Sequence, residues 1–318
     1  MTGYRSRRPS RRSFLSTVAA TGVVGKMRAA QAGKTAPLLS FGVVADAQYA
    51  DQDARGTRFY RQSLQKLRAC VDDFNGRDLD FVVHLGDFID CGFENFAAPS
   101  AILNWLKAQH YHVLGNHDFS VDNALKSNVS AALGMTRRYY DFVVDAWRFV
   151  VLDGNDLSMI ASVPGTDAYR VAEARCRALE ASGAPNGLEW NGGLGEAQLA
   201  WLRDTLDDAA ASDQRVVLCS HFPVYPAHSL NLWNDTELLK IVDAYECVAL
   251  YLNGHHHAGH YAERNGVHHL TLRGMVETKD TTAYGVIEVY GDCLLLHGVG
   301  REEDRRLLFL GTPDAASI

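Results

Sequence analysis

Four histidines fall within six residues of this sequence, in the segment Asn-Gly-His-His-His-Ala-Gly-His at residues 253–260. Neutral imidazole is the commonest metal ligand in proteins. If the backbone stays extended, His255 and His257 point to one side of the chain and His256 to the other. The preceding Gly254 lets the backbone pass close to an ion or a second loop, where a Cβ would clash. The stretch therefore predicts a metal site, with a surface histidine cluster as the alternative interpretation.

Polar residues that could bind metals recur at four other places, each after an apolar run that predicts a strand. These places are Asp46-Ala47-Gln48, Gly86-Asp87, Gly115-Asn116-His117-Asp118 and Ser220-His221. Open α/β sheets place their chemistry at the carboxyl ends of their strands. Taken singly, Asp46 could be a turn residue or a helix N-cap, and His221 could be structural. The stronger signal is the order of the motifs, each at a predicted strand end.

The elements that position these motifs alternate between strands and helices. Apolar runs at 38–45, 81–85 and 111–114 predict strands, while apolar residues at helical spacing between 60 and 74 predict an amphipathic helix. A second helical pattern occupies residues 102–106. Three strand-then-loop units separated by helices indicate a layered α/β fold.

The second half of the chain continues with both element types. Its predicted elements are a hairpin of 139–144 and 147–152, helices at 196–210 and 237–245, and strands at 215–219 and 248–252. Residues 154–195 form a longer, less regular region, and loops of that length are usually functional or disordered. We expect this region to cap the site as a substrate loop. The β-rich tail at 268–310 predicts antiparallel strands that complete a second sheet.

The order of the five motifs resembles the calcineurin-like metallophosphoesterase superfamily, whose signature reads DxH, GD, GNH(D/E), H and GHxH. The similarity runs from about residue 38 to about residue 310, which is nearly the whole chain after its basic N-terminus. The resemblance implies one catalytic domain over residues 38–312. It also implies a four-layer α/β sandwich, in which helices flank two β-sheets and a dinuclear metal site lies at the sheet edge.

The resemblance also implies a ligand set for two divalent metals. The first metal would be held by Asp46, Gln48, Asp87 and His257, and the second by Asp87, Asn116, His221 and His255. Two such ions about 3.5–4 Å apart repel each other, and the shared carboxylate of Asp87 would offset that repulsion. The metals would lower the pKa of a bridging water and so generate the attacking hydroxide at neutral pH.

Two further motif residues take catalytic roles by the same resemblance. His117 lies beside the ligand Asn116 and would stabilise the phosphoryl oxygens or protonate the leaving oxygen. Asp118 would orient His117 through its other ring nitrogen. These two residues are the predicted catalytic pair, in addition to the metal ligands.

Gln48 departs from the superfamily pattern, because the first motif usually ends in histidine. Its carbonyl oxygen is a harder ligand than an imidazole nitrogen, which favours Mn²⁺ or Mg²⁺ over Zn²⁺ or Fe. The tyrosine that ligates iron in purple acid phosphatases would fall at Asp90 by spacing, so that branch is disfavoured. We expect Mn²⁺, with Mg²⁺, Fe and Zn²⁺ as the alternatives.

Three segments are similar to the manganese-dependent ADP-ribose/CDP-alcohol diphosphatases, namely residues 46–51, 191–202 and 254–259. This narrower resemblance implies hydrolysis of the diphosphate bond in ADP-ribose, CDP-choline or CDP-glycerol, with release of a nucleoside monophosphate. No motif identifies the base or the ribose, and Tyr49, Phe93 and Tyr225 are candidates for stacking. The alternatives are an exported phosphodiesterase or phosphomonoesterase of the same superfamily, and a metal-binding relative without turnover.

Residues 1–32 have the three parts of a secretion signal, which are a basic start, a short apolar middle and a small-residue cleavage site. The pair Arg11-Arg12 before the apolar run resembles a twin-arginine signal. We therefore expect the twin-arginine export machinery as a partner and a periplasmic or secreted location. A disordered basic tail is the alternative.

Charge limits the classes of partner. The whole chain carries −7 and its first 32 residues carry seven basic and no acidic side chains, so the remainder carries −14. Such an acidic body repels nucleic-acid backbones and anionic membrane surfaces. No stretch reaches the roughly 18–20 apolar residues of a membrane span, so we expect no stable membrane anchor. The expected partner is a small phosphate ester or nucleoside diphosphate substrate.

Overall fold

In the computed structural model of the chain, which describes residues 36–309, twelve strands form two mixed sheets. The strands are β1 (Leu39–Val44), β2 (Phe81–His84), β3 (Gln109–His112), β4 (Tyr140–Val144), β5 (Trp147–Val151), β6 (Arg215–Cys219), β7 (Val248–Asn253), β8 (His260–Arg264), β9 (Val267–Thr271), β10 (Ala283–Val289), β11 (Cys293–Gly300) and β12 (Arg305–Leu308). The first sheet has the order β12-β11-β10-β1-β2-β3, and the second has the order β4-β5-β6-β7-β9-β8. The centres of both sheets are parallel, so the strands that precede the motifs end at the same edge.

Six α-helices accompany these strands within the described residues. They are α1 (Ser63–Asn75), α2 (Ala97–Leu103), α3 (Val129–Ala132), α4 (Asp167–Ala181), α5 (Glu196–Ala211) and α6 (Asp235–Val242). Helices α1 and α2 pack on the outer face of the first sheet, and α5 and α6 pack on the outer face of the second. The expected four-layer sandwich is confirmed.

The core lies between the two sheets, because side chains alternate between the faces of each central strand. Phe41 and Val43 of β1 point toward the second sheet, where Phe149 is buried against them, while Val44 points toward α1. The rings of Phe41 and Phe81 stack with centroids 5.0 Å apart. Burying one such side chain stabilises the fold by about 1.5–3 kcal/mol. This packing fixes one sheet against the other and hence the loops at their common edge.

The predicted β-rich tail pairs differently from our expectation. Strands β10 to β12 do not complete a second sheet, because β10 runs antiparallel to β1, with Leu39 opposite Val289, and extends the first sheet. Of the predicted tail strands only β9 joins the second sheet, where it runs parallel to β7. Strand β8, which the sequence did not predict, pairs with β9 and completes that sheet. The prediction failed because partners distant in sequence cannot be chosen from alternation within a strand.

The irregular region at residues 154–195 contains α4, which is longer than the helical patch predicted at 171–179. Thr166 caps this helix by accepting a hydrogen bond from the backbone N–H of Tyr169. Leu157 and Gly193 exchange two backbone hydrogen bonds, which close the region at its base. The predicted signal at residues 1–32 lies outside the described residues. Within residues 36–309, no helix combines the length and the apolar composition that crossing a membrane requires.

Candidate metal centre

The loops that follow β1, β2, β3, β6 and β7 bring the five predicted motifs together. They carry, in that order, Asp46 with Gln48, Asp87, Asn116 with His117, His221, and His255 with His257. Backbone hydrogen bonds join the first two loops, from Asp46 N to Gly86 O at 3.1 Å and from Gln48 N to Asp87 O at 2.8 Å. All seven predicted metal ligands therefore lie in one connected cluster.

Asp87 lies at the centre of this cluster and is fully buried. Its Oδ2 accepts a hydrogen bond from Gln48 Nε2 at 3.0 Å and lies 3.2 Å from His221 Nε2. Its Oδ1 accepts a hydrogen bond from the backbone N–H of His117 at 2.8 Å. Although burial opposes the effect, His221 and His117 hold the pKa of Asp87 well below its usual range. The carboxylate is thus ionised and lies between residues predicted to bind different metals.

The first half-site consists of Asp46, Gln48 and His257. The Nε2 atom of His257 lies 3.4 Å from Asp46 Oδ1, and its Nδ1 atom lies 2.8 Å from Glu277 Oε1. Burial acts to lower the pKa of His257, but Asp46 and Glu277 raise it to about 9. The hydrogen bond from His257 in turn lowers the pKa of Glu277 to about 2. Two carboxylates therefore flank this one imidazole.

The second half-site consists of Asn116, His221 and His255. The Nδ1 atom of His255 lies 3.2 Å from His221 Nε2, and the other nitrogen of each ring contacts a neutral oxygen. His221 Nδ1 lies 2.8 Å from the carbonyl oxygen of Leu85, and His255 Nε2 lies 3.2 Å from Asn191 Oδ1. Ligand atoms of Asp87, His221 and His255 all lie within 4.8 Å of one another, close enough to hold one cation.

Two buried carbonyl oxygens show that the cluster fits metal ions. Gln48 Oε1 and Asn116 Oδ1 accept no hydrogen bond from any residue that the structure describes. A buried acceptor without a partner costs about 1–3 kcal/mol. A divalent cation in each half-site would accept these lone pairs together with the nearby carboxylates and ring nitrogens. The first half-site, counted with Asp87, offers three oxygen donors and one imidazole, a set that suits Mn²⁺, whereas the second offers two oxygens and two imidazoles.

The backbone of the cluster is left-handed at four of the predicted ligands. The φ angles are +53° at Asp46, +41° at Gln48, +54° at Asp87 and +66° at His255. Non-glycine residues adopt this region rarely, and such residues concentrate at functional sites. The interpretation that His255 and His257 point to one side of the chain depended on an extended backbone, which the chain does not have at His255. The chain turns at His255, and the turn rather than strand alternation brings both rings to the cluster.

Close approach of the loops requires glycine at two positions. A Cβ at Gly254 would lie 2.6 Å from Asp46 Oδ2, and a Cβ at Gly115 would lie 2.1 Å from Asp87 Oδ1. The expectation that Gly254 permits contact with a second loop is therefore confirmed. The neighbouring His256 points elsewhere, and its ring stacks on that of His228 with centroids 4.6 Å apart.

The two predicted catalytic residues have different surroundings. His117 Nδ1 lies 2.9 Å from the backbone oxygen of Asp90 and 3.2 Å from its Oδ1. The carboxylate of Asp118 accepts hydrogen bonds from four backbone N–H groups instead, those of Asp87, Phe88, Ile89 and Gly115. The prediction that Asp118 orients the ring of His117 was therefore wrong, because its oxygens are occupied by the two loops they hold together. Asp90 makes the predicted contact.

The metal centre forms one wall of a cavity of about 400 Å³. The cavity is lined by Gln48, Asp87, Asn116, His117, His255 and His257 on the polar side, with Arg58, Ser120, Ile160, Trp190 and Leu230 completing it. The suggested stacking residues Tyr49, Phe93 and Tyr225 are not among the described residues that line it. The sequence analysis missed Arg58 and Trp190, although Trp190 directly precedes the segment 191–202 that resembles the diphosphatases.

The chain is similar to proteins of one family along most of its length. A sequence model of the calcineurin-like phosphoesterases matches residues 39–259. A manganese-dependent ADP-ribose/CDP-alcohol diphosphatase of Oryza sativa subsp. japonica is 36% identical, over 86% of this chain and 95% of that protein. The protein of the same name in Homo sapiens is 31% identical, over 84% of this chain and 92% of that one. The crystal structure of a dimetal phosphatase from Danio rerio superposes with a TM-score of 0.77 at 28% identity, over 86% and 99% of the two chains.

Proposed function

Because this chain belongs to the calcineurin-like phosphoesterase family, we propose that it is a Mn²⁺-dependent hydrolase of the diphosphate bond in nucleoside diphosphate-linked small molecules. Compounds of the ADP-ribose, CDP-choline and CDP-glycerol type are the expected substrates. The observation that carries the proposal is the placement of Asp87 between two half-sites, each containing a buried carbonyl oxygen without a hydrogen-bond partner in the described chain.

Each half-site would hold one cation, with Asp87 contacting both. Bound divalent cations supply hydroxide at neutral pH and offset the negative charge of the phosphoryl oxygens. The chain itself positions His117 at the cavity wall, beside Asn116. Since Asp90 engages the Nδ1 atom of His117, the Nε2 atom is left to bind a phosphoryl oxygen or to protonate the leaving oxygen.

The lining of the cavity supports a substrate larger than a simple phosphate ester. The apolar part of the wall is formed by Ile160, Trp190 and Leu230, and Trp190 is about half exposed. Aromatic rings of this kind stack on planar groups such as nucleobases. Arg58 lines the same cavity and offers a cation to a second phosphate. The names of the rice and human relatives specify diphosphatase activity, in agreement with this arrangement.

The region at residues 154–195 is proposed as the substrate loop. It contributes Ile160 and Trp190 to the cavity wall, and Asn191 contacts the ring of His255. It therefore joins the substrate side of the cavity to a metal ligand. Replacing Trp190 with alanine would raise KM for a nucleotide substrate more than KM for glycerol 3-phosphate, which has no planar group to stack.

Activity assays with added Mn²⁺ test the proposed function. The purified protein would be compared on ADP-ribose, CDP-choline, bis-p-nitrophenyl phosphate and p-nitrophenyl phosphate. We expect the highest kcat/KM for the two nucleotides, with release of a nucleoside monophosphate. Preference for the monoester or the simple diester would replace the diphosphatase assignment by one of those activities, and bound metal without any turnover would indicate a non-catalytic relative.

Export by the twin-arginine route is a separate proposal, supported by the basic residues and paired arginines of segment 1–32. It predicts a periplasmic or secreted protein. Replacing both Arg11 and Arg12 with lysine would retain the protein in the cytoplasmic fraction. Unchanged export of that variant would remove the twin-arginine machinery as a partner.

A further inference from the structure

Glu277 lies against the first half-site but belongs to none of the five motifs. It follows β9 in sequence and lies outside residues 39–259, the part matched by the family model. Its Oε1 lies 2.8 Å from His257 Nδ1, and its side chain is 15% exposed. A carboxylate in this position accepts the Nδ1 hydrogen of the imidazole, which leaves the Nε2 lone pair free for a metal. That Nε2 atom is the one that faces Asp46.

The segment around Glu277 is held to the loop that carries Asp46. Backbone hydrogen bonds run from Met275 N to Ala45 O and from Val276 N to Asp46 O, each at 2.9 Å. The acidic side chain therefore enters the site from a backbone that is fixed to one of the predicted ligands. A shift of the segment would move Asp46 and the support of His257 together.

Lys66 of α1 holds the same segment from the other side. Its buried Nζ donates hydrogen bonds to three backbone oxygens, those of Met275 at 2.5 Å, Glu277 at 3.3 Å and Thr278 at 3.0 Å. One ammonium group can donate three hydrogen bonds, and here all three go to this short stretch. Such a contact fixes the backbone from which the Glu277 side chain extends.

Glu277 also reaches toward the substrate cavity. Arg58 Nε lies 3.9 Å from Glu277 Oε1, and Arg58 is one of the residues that line the cavity. A single carboxylate thus contacts a predicted metal ligand on one side and a cation of the cavity wall on the other. At 3.9 Å and with Arg58 more than a third exposed, the second contact is the weaker of the two.

We propose that Glu277 is a positioning residue of the first half-site. Its carboxylate fixes the tautomer and orientation of His257 and increases the affinity of this half-site for its cation, while Lys66 holds the segment in place. The inference rests on the metal centre of the proposed function, but it concerns cation affinity and can be measured without a substrate. A merely structural role would leave the affinity of the folded protein for Mn²⁺ unchanged.

The test is calorimetric titration of chelator-treated protein with Mn²⁺, using wild type, Glu277→Gln, Glu277→Ala and Lys66→Met. We expect Glu277→Ala to weaken one of two Mn²⁺ sites by about 10–100-fold, the usual effect of removing a partner of a metal-bound histidine. Glu277→Gln keeps a hydrogen-bond acceptor and loses only the charge, so its affinity should fall between those of wild type and Glu277→Ala. Lys66→Met should show a smaller loss at the same site.

Glu288→Gln is the matched control. Glu288 Oε2 also contacts a histidine, His297 Nε2, at 3.0 Å, but these two residues belong to β10 and β11 and to none of the five motifs. We expect its Mn²⁺ affinities to equal those of wild type. Unchanged affinities at both sites in folded Glu277→Ala would overturn the proposal. If that variant does not fold, unchanged affinities in Glu277→Gln together with Lys66→Met would overturn it.

The same titration separates this inference from the proposed function. Wild-type protein that binds two Mn²⁺ ions but cleaves no diphosphate would contradict the proposed substrate class and leave the affinity comparison decisive for Glu277. Wild-type protein that binds no Mn²⁺ would overturn both. Diphosphate cleavage with equal Mn²⁺ affinity in wild type and Glu277→Ala would support the function and reject the role of Glu277.

Discussion

The two half-sites share Asp87 but are supported by different groups. In the first, His257 is backed by the carboxylate of Glu277. In the second, the imidazoles are backed by neutral oxygens, the carbonyl of Leu85 and the amide of Asn191. A carboxylate partner makes an imidazole a stronger ligand and adds negative charge near the cation. We therefore expect the two half-sites to bind their cations with unequal affinity, the first more tightly than the second.

Both half-sites draw their residues from the two sheets. Asp46 and Gln48 follow β1 of the first sheet, whereas His221 follows β6 of the second. His257 follows β7 and crosses to the first half-site, and Asn116 follows β3 and crosses to the second. Each half-site is therefore assembled from both sheets. The packing of one sheet on the other therefore fixes how far apart the two half-sites lie.

The largest expected effect is that of replacing Asp87, because this residue contacts both half-sites and its loss should weaken both. Asp87→Asn removes the charge that offsets repulsion between two cations. We expect kcat for the nucleotide substrate to fall more than about 10⁴-fold, equivalent to over ~5 kcal/mol of transition-state stabilisation, with both Mn²⁺ affinities weakened. Steady-state kinetics and metal titration of the purified variant provide the measurement. Loss of one Mn²⁺ site with the other intact would assign Asp87 to a single half-site.

His117 should affect chemistry without affecting either half-site. For His117→Ala we expect kcat to fall roughly 10²–10⁴-fold, the usual range for a general acid or base, while two Mn²⁺ ions remain bound. Asp90→Asn is the companion variant, because it keeps a side chain beside His117 Nδ1 and should lose less activity. Turnover equal to wild type in His117→Ala would remove this residue from the mechanism.

In the second half-site, Asn191 contacts a histidine ring as Glu277 does in the first. Asn191→Ala removes the oxygen beside His255 Nε2, so the affinity of the weaker Mn²⁺ site should fall about tenfold and the tighter site should not change. The Asn191 amide also donates to the backbone oxygens of Asn186, in a buried hydrogen bond, and of Ser229, in a part-buried one. Leaving these unpaired should lower the free energy of unfolding by about 2–3 kcal/mol, as measured by urea denaturation. A weakened tighter site would contradict the separation into halves.

The smallest expected effect is a pH dependence of the free energy of unfolding, caused by Lys66, which holds the segment that carries Glu277. Burial lowers the pKa of Lys66 to about 8, from 10.5 in an exposed chain. Between these values the unfolded state binds the extra proton, so stability rises with pH across that window. The free energy of unfolding of wild type, relative to Lys66→Met, should therefore increase from pH 7.5 to pH 9.5. A constant difference between the two proteins would show that Lys66 titrates normally.

The fold was predictable from sequence where the signals are local. The hairpin of β4 and β5 turns at Asp145 and Ala146 as expected, and α5 begins at the predicted Glu196. The pairing of the tail was not predictable, because β10 joins β1 across more than two hundred residues. Strand β8 was missed since its sequence, His-Tyr-Ala-Glu-Arg, has neither an apolar run nor regular alternation.

In the candidate site, too, some residues could be predicted from the sequence and others could not. The seven predicted ligands could be named from the resemblance of the motif order to the family, because each motif is short and stands at the end of a strand. The partner of His117 did not follow, since Asp118 is adjacent in sequence but its carboxylate is occupied by backbone N–H groups. Glu277 lies twenty residues beyond His257 in a loop without a motif, so only the folded chain shows the contact. Residues that contact a predicted ligand or catalytic histidine from behind are brought there by the tertiary fold, so the sequence alone did not identify them.

Four predicted ligands have a left-handed backbone, so the substitutions that would stabilise the fold at these positions would also remove activity. Each such residue costs roughly 1–3 kcal/mol that glycine would not. Substituting Asp46, Gln48, Asp87 or His255 with glycine would relax the main chain and delete a predicted metal ligand in one step. Directed evolution toward heat resistance alone, carried out without manganese, would therefore favour variants that have lost their chemistry. A selection that retains activity must find its stabilising changes elsewhere in the protein.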